Sequence, residues 1–159
     1  MSVSDTHERV SDYLRVLDGS YSGFTVRQTT LSVRAEVYDR MASLASAGVV
    51  DAAVRVRNAT DEVLAVREAG DGWTDPYGLV RRDETIESGA RRSLRERTGI
   101  DAALDDLLGV TIVCLTDATN PDRDSLYRLS ALFSGRYVGG EPESNCAWRS
   151  RPPRSISAI

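Results

Sequence analysis

The sequence predicts a domain of the α/β (α+β) class, and three observations carry that prediction. Val50, Ala52, Val54 and Val56 alternate with Asp51, Ala53, Arg55 and Arg57, the two-residue period of a half-buried strand. Val37, Met41 and Leu44 recur at i, i+4 and i+7, the spacing of one helix face. With 41% apolar residues in a chain of 159, there is enough apolar surface for one ordinary domain with its own core.

Each element follows in chain order. Val10, Tyr13, Leu14 and Leu17 place a short amphipathic helix over 5–17, with Ser4 as its N-cap. Gly19 and Gly23 interrupt that pattern, and the β-branched stretch 24–33 reads as extended. A second helix covers 34–46 and stops at Gly48. The strand at 49–57, turn chemistry at 58–61 and a second strand at 62–67 form a hairpin. A loop at 68–72 precedes Trp73-Thr74-Asp75-Pro76-Tyr77-Gly78. A helix over 85–97 follows, ended by Gly99 in the C-cap role. Strands at 108–115 and 126–138 flank a polar loop at 116–124. From Trp148 onward there are three arginines, two prolines, no acid and no apolar period, which predicts a disordered basic tail. The chain thus divides into an N-terminal helix-strand-helix extension over 1–48, a domain over 49–147 and a tail over 148–159.

Composition removes several chemistries. All 20 basic residues are arginine, so Schiff-base catalysis and a phosphate loop ending in Gly-Lys-Ser/Thr are excluded. The single histidine, His7, lies among polar residues near the N-terminus, which argues against histidine-rich metal sites and against nucleophile-histidine pairs. Cys114 and Cys146 are too few for a four-cysteine zinc site or a disulfide framework, and Cys114, in an apolar strand, reads as a buried free thiol. A net charge of −4 argues against a protein that coats nucleic acid and favours a small-molecule ligand. No basic-then-apolar leader and no apolar run of membrane-spanning length are visible, so a cytoplasmic chain without membrane contact is expected. The available chemistry is that of carboxylates, arginines, hydroxyls and a bound metal.

One segment concentrates that chemistry. From Gly78 the chain reads GLVRRDETIESGARRSLRERTGI, with Glu84, Arg92, Leu94, Glu96, Gly99 and Ile100 at fixed offsets. This resembles the signature box of the Nudix hydrolases, G-x5-E-x7-R-E-U-x-E-E-x-G-U with U apolar, and seven of the nine specified positions match. Trp73, Pro76 and Gly78 also fall where that family carries W-x-x-P-x-G. The resemblance covers about residues 49–140 and implies a mixed sheet sandwiched between helices. It further implies hydrolysis of a nucleoside diphosphate linked to another group, with Mg²⁺ or Mn²⁺ as cofactor. By the same resemblance Glu96 is the metal ligand and a catalytic residue, Arg92 and Glu84 belong to the catalytic box, and Gly78 and Arg97 border the substrate.

Two positions depart from the pattern: Ser93 and Arg97 stand where the family has glutamates. At 100° per residue, positions 93, 96 and 97 share one helix face, so three carboxylates there could converge on a hard dication. Only Glu96 remains. At an effective dielectric of about 20, a positive charge about 5 Å from a dication costs on the order of 6 kcal/mol, so weak metal binding is expected. Glu87, Asp117, Asp122 and Asp124 are the substitute acids in the sequence. The resemblance implies that Glu84 and Arg92 shape the loop and helix rather than act as direct catalysts, while Glu87 and Arg91 read as an i, i+4 pair on a solvated face. Gly89, costly inside a helix, implies a close approach or a relaxed constraint.

Two functions follow. One is a Nudix-type pyrophosphohydrolase with a degenerate metal site and weak activity. The other is a non-catalytic Nudix-fold module that binds a nucleotide or a protein. The N-terminal extension also allows a homodimer through a dimerising arm.

Overall fold

The computed structural model of the protein describes residues 3–67 and 72–153, with Ser4 described in its backbone only. After a 3₁₀ turn at Val3–Asp5, the elements are α1 (Thr6–Ser20), β1 (Thr25–Val33), α2 (Ala35–Leu44), β2 (Val50–Arg57), β3 (Val63–Arg67), β4 (Trp73–Thr74) and β5 (Tyr77–Val80). Then come α3 (Ile86–Thr98), β6 (Ile100–Asp117), β7 (Leu126–Gly140) and β8 (Cys146–Arg149). Among the described residues the strands form one mixed sheet in the order β1-β6-β7-β2-β3-β4, with β5 paired to β2 and β8 to β3. The pairs β1/β6 and β2/β7 are parallel, and the rest are antiparallel. The class expected from the sequence, a mixed sheet with helices, is the class observed.

Strand alternation sorts the sheet into two faces. Gly78, Ala52 and Ala131 lie on one register line and Val80, Val50 and Leu129 on the next, both on one face. α3 covers this face through Ile86, Ala90 and Leu94, all buried. α1 covers the same face further along β7, where His7 meets the Tyr127 ring edge-on at 4.7 Å and Tyr21 meets Phe133 at 5.9 Å. Both contacts add geometry-dependent attraction to the burial of aromatic surface. α2 caps one end of the sheet, where the Tyr38 hydroxyl donates to the Asp124 carbonyl at 2.6 Å. Cys114 is buried as a free thiol.

Several boundaries move from those expected. The cap position of α1 is Asp5, without a side-chain cap bond, while the Ser4 side chain lies outside the described residues. Thr6 donates instead to the Val3 carbonyl at 2.7 Å, closing the turn before the helix. β6 begins at Ile100 rather than 108. Its first half hides from periodicity because register shifts at Asp101/Ala102, Leu104/Asp106 and Leu107/Gly109 break the alternation of apolar residues. Within the segment 1–48, β1 joins the sheet through nine consecutive parallel pairs with β6.

The tail drawn from 148 also needs correction. Trp148 and Arg149 belong to β8, pairing with Leu64 and Val63, and the Arg149 guanidinium sits 4.8 Å from the centre of the Trp73 ring. Further on, Arg55 Nη2 donates to the Pro153 carbonyl at 3.2 Å. Residues 154–159 of that tail lie outside the described residues. Its lack of an apolar period is real, but a four-residue edge strand needs no period once a partner strand supplies its hydrogen bonds.

Candidate functional site

The box residues form a strand, a turn and a helix that lock together by contact. Thr85 caps α3, its hydroxyl accepting the Ser88 amide at 3.1 Å, and Gly99 closes the helix at φ 76°, a left-handed conformation that favours glycine. A Cβ on Gly78 would overlap the Ser93 hydroxyl and lie 2.9 Å from the Ser93 Cβ. A Cβ on Gly89 would lie 2.8 Å from Val80 Cγ1 and 3.1 Å from Glu84 Oε1. Both glycines therefore let α3 seat directly on β5, which settles the Gly89 question in favour of a close approach.

Arg92 ties the turn to the helix. Its Nε and Nη2 donate to the two carboxylate oxygens of Glu84 at 2.7 and 2.9 Å, a bidentate geometry, and Nη2 also donates to the Leu79 carbonyl at 2.7 Å. Glu84 Oε1 accepts the Arg81 amide at 2.8 Å as well. The Arg92 hydrogen bonds hold the Glu84 carboxyl below its usual range, and Glu84 raises the guanidinium of Arg92 in return. These bonds engage both carboxylate oxygens of Glu84 and hold the turn against α3.

The metal-binding half of the box is arranged differently from the expected convergence of 93, 96 and 97. Ser93 is only 4% exposed and faces Gly78 across the strand-helix contact. It does not border solvent, because the helix packs through that position. Glu96, with its side chain 56% exposed, accepts from Arg92 Nη1 at 2.8 Å. Arg97 lays its guanidinium 5.0 Å from the centre of the Tyr77 ring, a cation–π contact that fixes a positive charge beside Gly78.

Two of the substitute acids, Glu87 and Asp117, are committed elsewhere. Glu87 accepts from the Tyr21 hydroxyl at 2.7 Å rather than pairing with Arg91 among the described residues. Burial and that bond to Glu87 push the Tyr21 hydroxyl well above its ordinary value. Asp117 Oδ1 takes the Thr119 amide and hydroxyl at 2.9 and 2.8 Å, and Oδ2 takes Arg123 at 3.2 Å. These bonds hold the Asp117 carboxyl low, Thr119 first among them. Asp117 lies seven positions along β6 from Val110, which shares a register line with Ala131, Ala52 and Gly78. At roughly 3.3 Å per residue that is about 23 Å along the strand, so the polar loop is at the far end of the sheet from the box.

Among the described residues no three His, Cys, Asp or Glu side chains come together as a metal cluster. Glu84 is paired bidentately with Arg92, Glu96 is bound to the same guanidinium, Ser93 is buried and Arg97 is cationic. A carboxylate cage for Mg²⁺ does not fit this donor set as arranged.

Against this geometry, the model of the NUDIX domain matches residues 48–157. The chain belongs to the NUDIX family. A MutT-like protein of Streptomyces ambofaciens is 45% identical over 49 residues, a match covering 30% of this chain and 32% of that relative's length. Among solved structures, a MutT protein from Methanosarcina mazei Go1 aligns with TM-score 0.49 and 23% identity over 64% of this chain and 76% of its own. A NUDIX hydrolase from Nitrosomonas europaea aligns with TM-score 0.48 and 26% identity over 64% and 71%. A UDP-X diphosphatase, at 16% identity and TM-score 0.49, is covered over 84% of its chain and covers 94% of this one. The box at 78–100 lies within the matched NUDIX domain. Among the described residues no helix is long and apolar enough to cross a membrane.

Sequence reasoning missed two groups beside the NUDIX box. Arg55 and Asp75 form an ion pair at 2.8 Å with Asp75 almost fully enclosed, and Tyr77 serves as the platform for Arg97. The signal for both lay in Trp73–Gly78, where a buried acid and an aromatic flank Pro76.

Proposed function

We propose that this chain binds nucleoside diphosphate derivatives at the surface between Gly78 and Arg97 and hydrolyses their diphosphate bond only weakly. The observation that carries the reading is the Arg92 network. It joins Glu84, the Leu79 carbonyl and Glu96, so that the turn and helix of the box are kept in place while the carboxylates that would hold a dication are tied up or absent. Arg97 supplies the positive charge on this surface, and a guanidinium is well suited to the paired oxygens of a phosphate. Gly78, without a Cβ, lets α3 seat against β5, which brings Arg97 to the Tyr77 ring.

The bond from Arg92 to Glu96 also favours a second reading, a NUDIX module that holds its nucleotide without turnover. Calorimetry with ADP-ribose, in Mg²⁺ and in EDTA, combined with a hydrolysis assay, separates the two. The expected result is an affinity that changes by less than about tenfold on chelation, with slow hydrolysis in Mg²⁺. Binding with no hydrolysis at any metal concentration supports the second reading, and no binding in either buffer refutes both.

A further inference from the structure

The two ends of the sheet are built differently. At one end the outer strands are short, two residues in β4 and four in β8. At the other, β1 is the outermost strand and runs for nine residues, and among the described residues β6 is its one strand partner. The register with β6 is unbroken over all nine pairs, so no bulge bends the free edge away. The strand, TVRQTTLSV, has no proline, glycine, lysine or acid, and Arg27 is its one charge. Nor is it covered, since Thr25 to Gln28 are exposed and no residue of the strand is buried. Edge strands are ordinarily protected by shortness, charge, proline, bulges or a covering element, because their outward N–H and C=O groups are a template for another strand. Arg27 is the one such protection that β1 has.

A second copy of the chain fits this edge. About a twofold axis normal to the sheet, antiparallel pairing centred on Thr29 matches all nine residues. Thr29 then meets its own equivalent, Gln28 meets Thr30, Arg27 meets Leu31, Val26 meets Ser32 and Thr25 meets Val33. The one charge faces an apolar side chain and not itself, so no like-charge contact opposes the pairing. Moving the centre by one residue leaves two of the nine unpaired. Apolar surface is available on the same flank: Val26 is 51% exposed, and a groove of about 350 Å³ lined by Leu14, Phe24 and Val26 runs between α1 and the start of β1.

We propose that the free edge of β1 seats a second copy of this chain, so that two sheets join antiparallel through Thr25–Val33 into one. At ~3.3 Å per residue the seam is about 30 Å long, and it gives partners to the N–H and C=O groups of β1 that point away from β6. Arg27 lays its apolar stem along Leu31 of the other chain while its guanidinium stays in water. On the α3 face, the added strand lies beside the groove at Val26. β1 precedes residue 48, where the match to the NUDIX domain begins, so this association belongs to the N-terminal segment and is independent of what the box binds.

The test is sedimentation equilibrium on the full chain from about 1 to about 100 μM. The mass should rise with concentration toward twice the 17.4 kDa of one chain. Thr29→Arg sets two like charges against each other at the axis and should raise the dimer dissociation constant about tenfold or more, and Thr29→Glu should do the same. An equimolar mixture of the two variants places opposite charges there and should return the constant to within about threefold of the natural one. Amide exchange needs no substitution: alternate residues of β1 should exchange more slowly in the natural chain as its concentration rises. A chain that is monomeric throughout overturns the inference and leaves the edge to an extended segment of another protein. A dimer that ignores both substitutions, folded variants that stay monomeric when mixed, or a dimer without slowed exchange in β1 also overturns it.

Discussion

The two halves of the NUDIX box differ in what holds their residues in place. Gly78, Glu84, Arg92 and Gly99 are each fixed by a contact that the fold itself requires: a helix seated on a strand, a bidentate ion pair closing a turn, a left-handed C-cap. Glu96 and Arg97 are exposed, and no packing contact of the domain demands a carboxylate at either. Ser93 is intermediate, since its position is buried but its chemistry is not specified by any hydrogen bond among the described residues. The comparison teaches that packing and turn contacts specify the scaffold of the motif, whereas no packing contact specifies the charges at 96 and 97.

The strongest way to break this comparison is at the scaffold. Gly78→Ala places a methyl against the Ser93 hydroxyl and should cost about 3 kcal/mol through overpacking, a fall in melting temperature of roughly ten degrees for a domain of this size. Calorimetric melting checks it, and Ser93→Gly in the same chain should recover much of the loss, because the two sites share one contact.

Arg92→Ala comes next. It leaves the partly buried Glu84 without its bidentate partner and should lower stability by about 2 kcal/mol at neutral pH, a buried-pair effect reduced by partial exposure. The pH dependence gives the mechanism away. Glu84 is held below its ordinary 4.5 by Arg92, so its contribution is present above that value and is lost as pH falls through the lower folded-state value. Denaturant titrations should therefore show a gap between the natural chain and Arg92→Ala that is constant above about pH 5.5 and narrows in acid.

The reactive half responds in the opposite sense. Arg97→Glu removes an exposed guanidinium and adds an acid beside Glu96, so stability should move by less than about 1 kcal/mol. Mg²⁺-dependent hydrolysis of ADP-ribose should rise about tenfold, or 1.4 kcal/mol in the barrier. Adding Glu96→Gln to that variant should remove the gain. Ser93→Glu, by contrast, inserts a longer side chain at a buried position and should lower the melting temperature by several degrees. A stable and active Ser93→Glu variant would show that the strand-helix contact at Gly78 opens readily.

The smallest expected effect is that of Glu96→Gln alone. Its pair with Arg92 is largely exposed, so the melting temperature should shift by no more than about two degrees. A larger drop would place Glu96 in the scaffold rather than in the reactive half.

Much of this molecule was legible from the chain of residues alone. α3, its Gly99 cap, β2, β3 and the core of β7 follow from local periodicity and turn chemistry, which act over a few residues and leave their mark in order. The motif at 78–100 was legible for the same reason, as its spacing is that of one turn and one helix. The register shifts of β6, the edge strand at Cys146–Arg149 and the direct seating of Ser93 on Gly78 were not, because each depends on a partner distant in sequence. The fate of the carboxylates divides the same way: the sequence by itself determined that Ser93 and Arg97 stand where acids are expected, whereas only the tertiary structure decided that Glu96 turns to Arg92, Glu87 to Tyr21 and Asp117 to Thr119 and Arg123. Composition fixes which charges a chain has, but hydrogen bonds form between whichever groups the backbone brings within about 3 Å, and that proximity is set by the sheet.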